Sequence, residues 1–412
     1  MKRVVITGIG AVTPLANTFA DSWQLIKKGV SGINAITKFD ASRLPWKTAG
    51  ELKGFSPELF LSKKEILRLD PFVQYSVAAS VMAVEDSRIL NFKSQISNFK
   101  FENAGVIIGS SRGGITTIER ELSKLLTPQS GHWPNSKLSA YLMPSTTISM
   151  AASYTAQKLG IKGQCLGISN ACASGTNAVG EAYRLIKHGY ADVVIAGGAE
   201  APICRLCIEG YGISGALSKK NESSASRPFD AERDGFVLAE GACMLILEEY
   251  ESAIKRGANI YAELTGYGNT TDAYHITRPD IKGEQKAIIN ALEDAGISAG
   301  DVDYINAHGT STPLGDRVEA QAIKSVFGKN IPVSSIKSMT GHMLAASGAF
   351  EIACTAVSIK EGIIPPTINI SEKDPECYIN VVPEKKESDI RIAITNSFGF
   401  GGVNAVIVLK SI

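Results

Sequence analysis

The segment Asn170–Gly175, which reads Asn-Ala-Cys-Ala-Ser-Gly, places a cysteine where it could act as a nucleophile. Cys172 follows an apolar segment that predicts a strand and precedes a segment with helical spacing. Unpaired backbone N–H groups and the helix dipole at such a junction favour a thiolate, the reactive form in covalent catalysis. The alternative is a small cysteine buried under a turn, because free cysteine is a frequent core residue. Taken alone, Cys172 favours this alternative, but two histidines further along the chain reverse the preference.

These two histidines, His308 and His342, each follow a predicted buried strand and stand beside a glycine. Ligands in open α/β sheets bind beyond the carboxyl ends of strands, so the position of both imidazoles indicates a site. We expect a helix to begin near His342, where the dipole favours a neutral imidazole that can accept or share a proton. The alternative for either residue is a hydrogen-bonded histidine of the core.

A third segment, Asn396–Asn404, contains three glycines around Phe400. Glycines allow backbone conformations that other residues avoid. One interpretation is a backbone N–H aimed at an oxyanion, with the phenyl ring as a movable gate. The other is a plain hairpin turn with an aromatic plug, because the segment lies between two strand patterns.

The elements that must position these residues alternate between short apolar strands and amphipathic helices. Strands at 105–109 and 191–198 lie on either side of a helix that runs from Cys172 to about Gly189. The same style of alternation restarts after residue 258, without a repeat in the sequence itself. Short strands separated by helices predict a mainly parallel sheet that is covered on both faces.

Composition and charge exclude several classes of function. The 412 residues are 44% hydrophobic and 20% charged, and the net charge of +1 gives no global field for nucleic acid or a membrane surface. No apolar stretch approaches the roughly 18 residues of a membrane span. Seven cysteines without a secretory framework predict reduced thiols and a cytoplasmic location. We interpret the pair Cys204 and Cys207 as chance spacing rather than as a zinc site.

Several segments, in a fixed order and nearly from end to end, resemble the β-ketoacyl-[acyl carrier protein] synthases of the thiolase-like condensing enzymes, most closely the synthase II type. They are Val5–Pro14, Asn170–Gly175, Ser226–Asp230, Asp234–Phe236, Asp272–His275, Asn306–Thr312, Lys337–His342 and Asn396–Gly402. The resemblance implies an α/β protein with a five-layered αβαβα fold of two related halves. Residues 1–257 would carry the cysteine and residues 258–412 both histidines. It also implies a homodimer.

The resemblance further implies a ping-pong reaction of fatty-acid elongation. Cys172 would take an acyl group from the phosphopantetheine thiol of an acyl carrier protein. Malonyl carrier protein would then lose carbon dioxide while His308 and His342 hydrogen-bond the thioester oxygen, and the carbanion would attack the acyl-cysteine. The backbone N–H groups of Cys172 and Phe400 would form the oxyanion hole. Because phosphopantetheine arrives on the carrier protein, no resident cofactor and no catalytic metal are expected. The sequence leaves open whether a monovalent cation binds near Asn306, Glu351 and Asn396.

Further site residues follow from the same resemblance. Lys337 matches an active-site lysine, and Glu319 stands where its ion-pair partner is expected. Glu351, nine residues after His342, matches a glutamate near the active centre. The remaining expected residues bind the substrate or support the site: Thr310, Thr312, Gly399, Gly401 and Asn404.

One departure from the family pattern concerns Arg112, which stands where an apolar residue usually lines the far end of the acyl pocket. An arginine there could shorten the pocket, form a salt bridge away from it or bind a polar acyl terminus. The alternative function is therefore a specialised ketosynthase of polyketide or unusual acyl-chain biosynthesis.

The carrier proteins of this family are acidic, so we expect a basic rim near the site. Lys64 and Arg68 share a helix face at four-residue spacing, with Lys63 beside them. Lys219 and Lys220 are weaker candidates. A solvated lysine face is the alternative.

Two other functions are less favoured. A thiolase that uses coenzyme A thioesters would have a second catalytic cysteine near the carboxyl terminus, where Cys377 lies in a polar loop and the terminal motif has none. A non-catalytic partner subunit that resembles a chain-length factor would lack the nucleophile, whereas Cys172 and both histidines are present.

Overall fold

A computed structural model of the protein describes residues 1–89, 103–126 and 138–412. The helices are α1 (Phe19–Lys27), α2 (Lys63–Arg68), α3 (Pro71–Ser87), α4 (Ile115–Leu126), α5 (Leu142–Thr146), α6 (Met150–Leu159), α7 (Ser174–Lys187), α8 (Arg205–Ile213), α9 (Tyr250–Lys255), α10 (Ile281–Ala295), α11 (Pro313–Phe327), α12 (Lys337–Thr340) and α13 (Ala345–Glu361). The strands are β1 (Val4–Val12), β2 (Asn34–Ala35), β3 (Thr48–Ala49), β4 (Ala104–Gly109), β5 (Cys165–Ile168), β6 (Val193–Glu200), β7 (Gly241–Glu249), β8 (Ala262–Thr271), β9 (Tyr304–Asn306), β10 (Pro332–Ser334), β11 (Ile363–Ile364), β12 (Asn380–Val381), β13 (Lys386–Glu387), β14 (Ile392–Gly399) and β15 (Val403–Lys410).

One sheet runs through both halves of the described chain in the order β12-β10-β9-β14-β15-β8-β1-β7-β6-β4-β5. When the five main strands of each half are numbered separately, both halves have the order 3-2-4-5-1. The first strands of the two halves, β1 and β8, pair antiparallel where the halves meet. The halves are therefore related in topology, although the sequence shows no repeat. The boundary after residue 257 stays a prediction.

The prediction of a mainly parallel sheet is wrong, because half of the strand pairings in this sheet are antiparallel. Parallel pairing is confined to β4 with β5 and β6, β9 with β10 and β14, and β10 with β12. The hairpin between β14 and β15 is too short for the crossover that parallel strands need, so this pair must be antiparallel. Strand β7 also pairs antiparallel with β1 and β6. The alternation of helices and strands along the sequence does not predict these two pairings.

The five layers predicted from the resemblance are present. Helices α3 and α6 cover the outer face of the first half of the sheet, and α10 and α11 cover the outer face of the second. Between the halves lie α7 and α13, packed against each other and against strands of both halves. Fifteen of the seventeen residues of α13 are buried, as expected for a helix with protein on every side.

The amino ends of α7 and α13 meet closely, and this contact brings the functional segments together. A Cβ atom on Gly175 would stand 2.1 Å from the carbonyl oxygen of Ala345, so only glycine permits the approach. The helix predicted after Cys172 begins at Ser174 and ends at Lys187, and Gly189 follows with φ of +80°. The predicted helix is confirmed.

The helix predicted to begin near His342 begins three residues later, at Ala345. Gly341 has φ of +69° and Leu344 has φ of +47°, so the backbone between them cannot continue a helical turn. His342 therefore lies in a loop just before α13. Among the described residues, no helix has both the length and the apolar character needed to cross a bilayer.

Candidate active site

Cys172 occupies a tight turn between β5 and α7. A 3-10 turn spans Ala171–Ala173, and Ala171 has φ of +47°, a conformation that costs a residue with a side chain roughly 1–3 kcal/mol. Ser174 Oγ closes the turn, because it accepts the Asn170 N–H at 2.8 Å and donates to the Ala171 carbonyl oxygen at 2.6 Å. The turn presents the cysteine sulfur at the amino end of α7.

The sulfur of Cys172 is a thiol rather than a thiolate in the resting site. Burial raises the pKa of Cys172 to about 11, although the positive charge of Lys337 and the backbone N–H of Phe400 act in the opposite direction. Burial therefore acts against the thiolate that the sequence analysis expected. A base must take the proton as the sulfur attacks.

His342 is placed to be that base. Its Nε2 lies 3.0 Å from Cys172 Sγ, and its Nδ1 lies 3.3 Å from Ser347 Oγ. The backbone N–H of His342 donates to the Val237 carbonyl oxygen at 2.8 Å, which fixes the loop. Burial, and then the charge of Lys337, lower the pKa of His342 well below its ordinary value. The imidazole is therefore neutral, as predicted, although the cause is burial rather than a helix terminus.

His308 completes the cluster from the loop after β9. Its ring centroid lies 5.4 Å from that of His342, with the ring planes at 85°. The sulfur of Cys172 and a ring nitrogen of each histidine all lie within 4.8 Å of one another. Burial, with smaller effects from Lys337 and His342, holds the pKa of His308 well below its ordinary value. Two neutral imidazoles therefore face one thiol.

Lys337 is buried in α12 and pairs with Glu351, so the predicted ion pair between Lys337 and Glu319 is wrong. The Lys337 Nζ donates to the Glu351 carboxylate and, at 2.7 Å, to the His308 carbonyl oxygen. Glu319 instead accepts the backbone N–H groups of His308 and Gly309, each at 2.7 Å. Because two backbone N–H groups bind its oxygens, the Glu319 carboxylate faces the loop at His308 rather than the ammonium of Lys337. Lys337 and Glu319 thus hold the same catalytic loop at His308, Lys337 through the carbonyl oxygen of that residue and Glu319 through its backbone N–H.

Replacing Lys337 by methionine should lower the free energy of unfolding by about 3–5 kcal/mol at pH 8, because Glu351 would be left buried without a cation. Burial already raises the pKa of Glu351 to about 7, and the substitution raises it further. The carboxyl then ionises only in the unfolded chain between roughly pH 5 and pH 8, so the free energy of unfolding falls as the pH rises. Urea unfolding at pH 5 and pH 8 measures both effects.

Two controls accompany this measurement. Methionine at both Lys337 and Glu351 should recover most of the stability at pH 8, since no charge remains buried. Methionine at Lys220, whose contact with Glu232 is exposed, should cost less than about 1 kcal/mol. Equal losses for Lys337→Met at both pH values would contradict the ion pair.

Phe400 lies in the turn that joins β14 and β15. The segment is therefore a hairpin turn, and the same turn also carries the backbone N–H of Phe400. Its backbone N–H is directed at the sulfur of Cys172. A Cβ atom on Gly399 would stand 3.3 Å from the Cys172 nitrogen, and Gly401 has φ of +85°. The phenyl ring lies 6.5 Å from the ring of Tyr211. The turn of the hairpin therefore packs against the backbone of Cys172, whose N–H and that of Phe400 are the two groups expected to form the oxyanion hole.

A cavity of ≈ 320 Å³ opens beside Cys172. Thr310 and Thr312 line it, with their hydroxyl oxygens 3.2 Å apart. Gly399, Gly401 and Asn404 also line it, as the sequence analysis expected of substrate-binding or supporting positions. The lining also contains residues that sequence reasoning missed: Tyr211, Phe236, Glu284, Leu344 and Phe398. Phe236 and Phe398 stand in segments that resemble the family, and that signal could have found them. The signal of the other three was apolar or helical periodicity, which does not distinguish a cavity wall from a core.

Arg112 lies behind this cavity rather than in its wall. Its Nε donates to the Tyr211 hydroxyl at 2.7 Å, and its guanidinium carbon lies 5.1 Å from the Tyr211 ring centroid. Tyr211 lines the cavity, and both Arg112 and Tyr211 act electrostatically on Cys172. Among the described residues, the guanidinium of Arg112 therefore hydrogen-bonds the Tyr211 hydroxyl and forms no salt bridge with a carboxylate.

Comparisons with known proteins agree with this geometry. The family model described as "Beta-ketoacyl synthase, N-terminal domain" matches residues 1–253, and "Beta-ketoacyl synthase, C-terminal domain" matches residues 261–371. A curated relative from Synechocystis sp., named 3-oxoacyl-[acyl-carrier-protein] synthase 2, is 45% identical over 99% of this chain and 98% of its own length. A relative of the same name from Staphylococcus aureus is also 45% identical, over the same shares.

Solved structures also match over the whole chain, at lower identity. A β-ketoacyl synthase from Burkholderia phymatum matches with a TM-score of 0.92 at 34% identity, over 100% of both chains. A type II polyketide ketosynthase, solved in complex with its acyl-carrier protein and bound to the hexaketide, matches with a TM-score of 0.89 at 34% identity, over 100% of this chain and 99% of that chain. The fold is thiolase-like, as predicted, and the chain belongs to the β-ketoacyl synthase family.

Proposed function

We propose that this protein is a 3-oxoacyl-[acyl carrier protein] synthase of the synthase II type, which condenses an acyl group with malonyl carrier protein in fatty-acid elongation. The observation that carries the proposal is the cluster of one thiol and two neutral imidazoles beside two oxyanion-hole N–H groups. The names of the curated relatives support the same activity. The same three side chains could hold a metal ion, but the adjacent N–H groups and the cavity suit an acyl thioester better.

The first half-reaction transfers the acyl group to Cys172. The sulfur attacks the thioester carbonyl carbon while its proton passes to Nε2 of His342, 3.0 Å away. The N–H groups of Cys172 and Phe400 stabilise the oxyanion. The intermediate then collapses, the carbon–sulfur bond to phosphopantetheine breaks, and the leaving thiolate takes the proton from His342. The enzyme is left acylated and both imidazoles are again neutral.

The second half-reaction forms the carbon–carbon bond. The malonyl thioester oxygen accepts hydrogen bonds from His308 and His342 as the carboxylate leaves as carbon dioxide and its electron pair forms the enolate. For His342 this requires the neutral tautomer with the proton on Nε2, the reverse of the one that accepts the thiol proton. Ser347 Oγ, 3.3 Å from Nδ1, can pair with either tautomer because a hydroxyl both donates and accepts. The enolate carbon attacks the acyl carbonyl carbon, the bond to the Cys172 sulfur breaks, and the thiolate takes up one proton from solvent. The product is 3-oxoacyl carrier protein, and no redox cofactor or metal enters the balance.

An acyl carrier protein is the proposed macromolecular partner. A similar ketosynthase is solved in complex with one, and helix α2 offers the exposed Lys63 and Lys64 for an acidic surface. The Arg68 guanidinium instead stacks 4.4 Å from the ring centroid of Tyr141, which orders part of the same face. We place the enzyme in the cytoplasm, in keeping with its free thiols.

A homodimer is proposed on the evidence of one exposed edge. Among the described residues, strand β5 ends the sheet and pairs with β4 alone, and its Leu166 is exposed. Apolar side chains of α4 and α5 are exposed as well: Leu122, Leu125, Leu126 and Met143. An unprotected edge strand among exposed apolar side chains is typical of a surface that another chain covers.

A second candidate function, a ketosynthase for polyketide or otherwise unusual acyl chains, is favoured by the contact between Arg112 and Tyr211. This contact places a cation behind the cavity wall within electrostatic reach of Cys172. A hydrocarbon chain that reached the guanidinium would displace water from a charge, whereas a polar or anionic acyl terminus would pair with it. Similar solved ketosynthases of polyketide systems support the same candidate.

Replacing Arg112 by leucine should shift the acyl preference by about tenfold in kcat/KM towards long saturated chains and away from chains that end in a carboxylate or hydroxyl. Competition between the two kinds of acyl carrier protein, followed by mass spectrometry, measures the shift. A variant at Arg120, an exposed arginine of α4, serves as the control. An unchanged preference in Arg112→Leu would remove Arg112 from the specificity determinants.

The two less favoured functions gain no support. Cys377 is buried against Asp374 and is not part of the cavity wall, so it does not supply the second cysteine of a thiolase. The experiment that tests the main proposal mixes the enzyme with acyl and malonyl carrier proteins and follows carbon dioxide release together with 3-oxoacyl carrier protein. We expect one equivalent of each per turnover. Absence of both products with every acyl donor would favour a non-catalytic subunit.

A further inference from the structure

Glu284, in the first turn of α10, carries a buried carboxyl without a hydrogen-bond partner. Only 1% of the residue is exposed, and its Oε2 atom is enclosed without a hydrogen bond to any described residue. The side chain nevertheless belongs to the wall of the cavity that holds Cys172, Thr310 and Thr312. Buried polar groups almost always find a partner, so an exception in the wall of a substrate cavity requires an explanation.

Three other carboxyl groups line the same cavity, and each has partners within the protein. Asp272 accepts hydrogen bonds from the Asn404 side chain and the Asp280 N–H. Asp316 accepts from the N–H groups of Phe229 and Ser311. Glu319 accepts from the N–H groups of His308 and Gly309. The described part of the chain has one group of side chains close enough to hold a metal ion, around Cys172. The four carboxyls therefore do not converge on a common cation, and Glu284 differs from the rest.

The surroundings of Glu284 keep its carboxyl neutral. Burial raises its pKa well above the ordinary value, and the negative charges of Glu319, Asp272, Asp280 and Asp316 raise it further. No basic group is among the principal charges that act on it. A protonated carboxyl has an O–H to donate, and the group therefore seeks an acceptor.

We propose that Glu284 donates a hydrogen bond to an amide carbonyl of the phosphopantetheine arm when malonyl carrier protein delivers its thioester into this cavity. The inference rests on the proposed function. The arm is a chain with two amide groups, and a neutral donor suits a neutral carbonyl oxygen. The hydroxyls of Thr310 and Thr312 line the same cavity and offer the arm further hydrogen bonds. The arm would thus supply the partner that the protein itself lacks.

A matched pair of substitutions tests this assignment. Glu284→Met keeps the length of the side chain and removes its hydrogen bonding, whereas Glu284→Gln keeps a neutral donor. We expect Glu284→Met to raise the KM for malonyl carrier protein about tenfold with kcat within twofold of wild type, and Glu284→Gln to stay close to wild type. The melting temperature of Glu284→Met should equal or exceed that of wild type, because a buried group without a partner is removed.

Two controls make the outcome unambiguous. Glu293→Met changes an exposed glutamate of the same helix and should leave every parameter unchanged. Alkylation of Cys172 by iodoacetamide needs no arm and should proceed at the wild-type rate in all variants. An unchanged KM in Glu284→Met, or a lowered melting temperature without a change in KM, would overturn the inference and leave the proposed function standing. A wild-type enzyme that forms no 3-oxoacyl product would overturn both.

Discussion

Replacing Cys172 by alanine should reduce condensation by on the order of 10⁴-fold or more, because no other described thiol can take over the covalent step. Cys172 alone lies 3.0 Å from an imidazole and lines the cavity. The other cysteines are buried elsewhere or, like Cys165, exposed on strand β5. Formation of 3-oxoacyl carrier protein under saturating acyl and malonyl carrier proteins measures the loss.

Cys165→Ala is the matched control, since it removes the exposed thiol and leaves the cavity intact. It should keep wild-type activity. If Cys172→Ala retained more than a few per cent of wild-type activity while Cys165→Ala lost it, the nucleophile would have been assigned to the wrong turn.

The second large effect concerns the two histidines, of which His342 acts in both half-reactions and His308 in the second alone. His308→Ala should lower decarboxylative condensation by about 10²–10⁴-fold while the acyl-enzyme still forms at a rate near that of wild type. The reason is that His308 faces the cluster from the loop after β9, whereas His342 alone contacts the sulfur at 3.0 Å. Single-turnover acylation, measured separately from release of carbon dioxide, distinguishes the two steps.

His342→Ala should slow both steps, because the same Nε2 takes the thiol proton and later donates to the enolate oxygen. His188→Ala, at the exposed end of α7, is the control and should change neither rate. An acylation defect in His308→Ala as large as that in His342→Ala would show that the histidines do not divide the work in this way.

Sequence reasoning located the reacting groups well, because each stands at a junction that local pattern reveals. Cys172 precedes a periodic helix, and His308 follows a short apolar strand beside a glycine. Motif resemblance added Lys337 and Glu351, which periodicity alone would have treated as surface charge. The shared strand order of the halves had no sequence signal, since it depends on which strands pair across long distances.

The errors at the site have two physical causes, which are burial and competition for hydrogen-bond partners. The pKa of Cys172 is raised rather than lowered because burial removes water from the sulfur. Lys337 pairs with Glu351 rather than Glu319 because backbone N–H groups already occupy the Glu319 oxygens. Neither result can be read from residue types, since each depends on three-dimensional competition for partners.

The most direct test of the account is intact-mass analysis of the enzyme after incubation with acyl carrier protein alone, followed by addition of malonyl carrier protein. We expect a single acyl adduct that maps to Cys172, is absent from Cys172→Ala and disappears on addition of malonyl carrier protein as 3-oxoacyl carrier protein forms. Product formation without an adduct, or an adduct that maps to Cys165 and persists, would contradict covalent catalysis by Cys172.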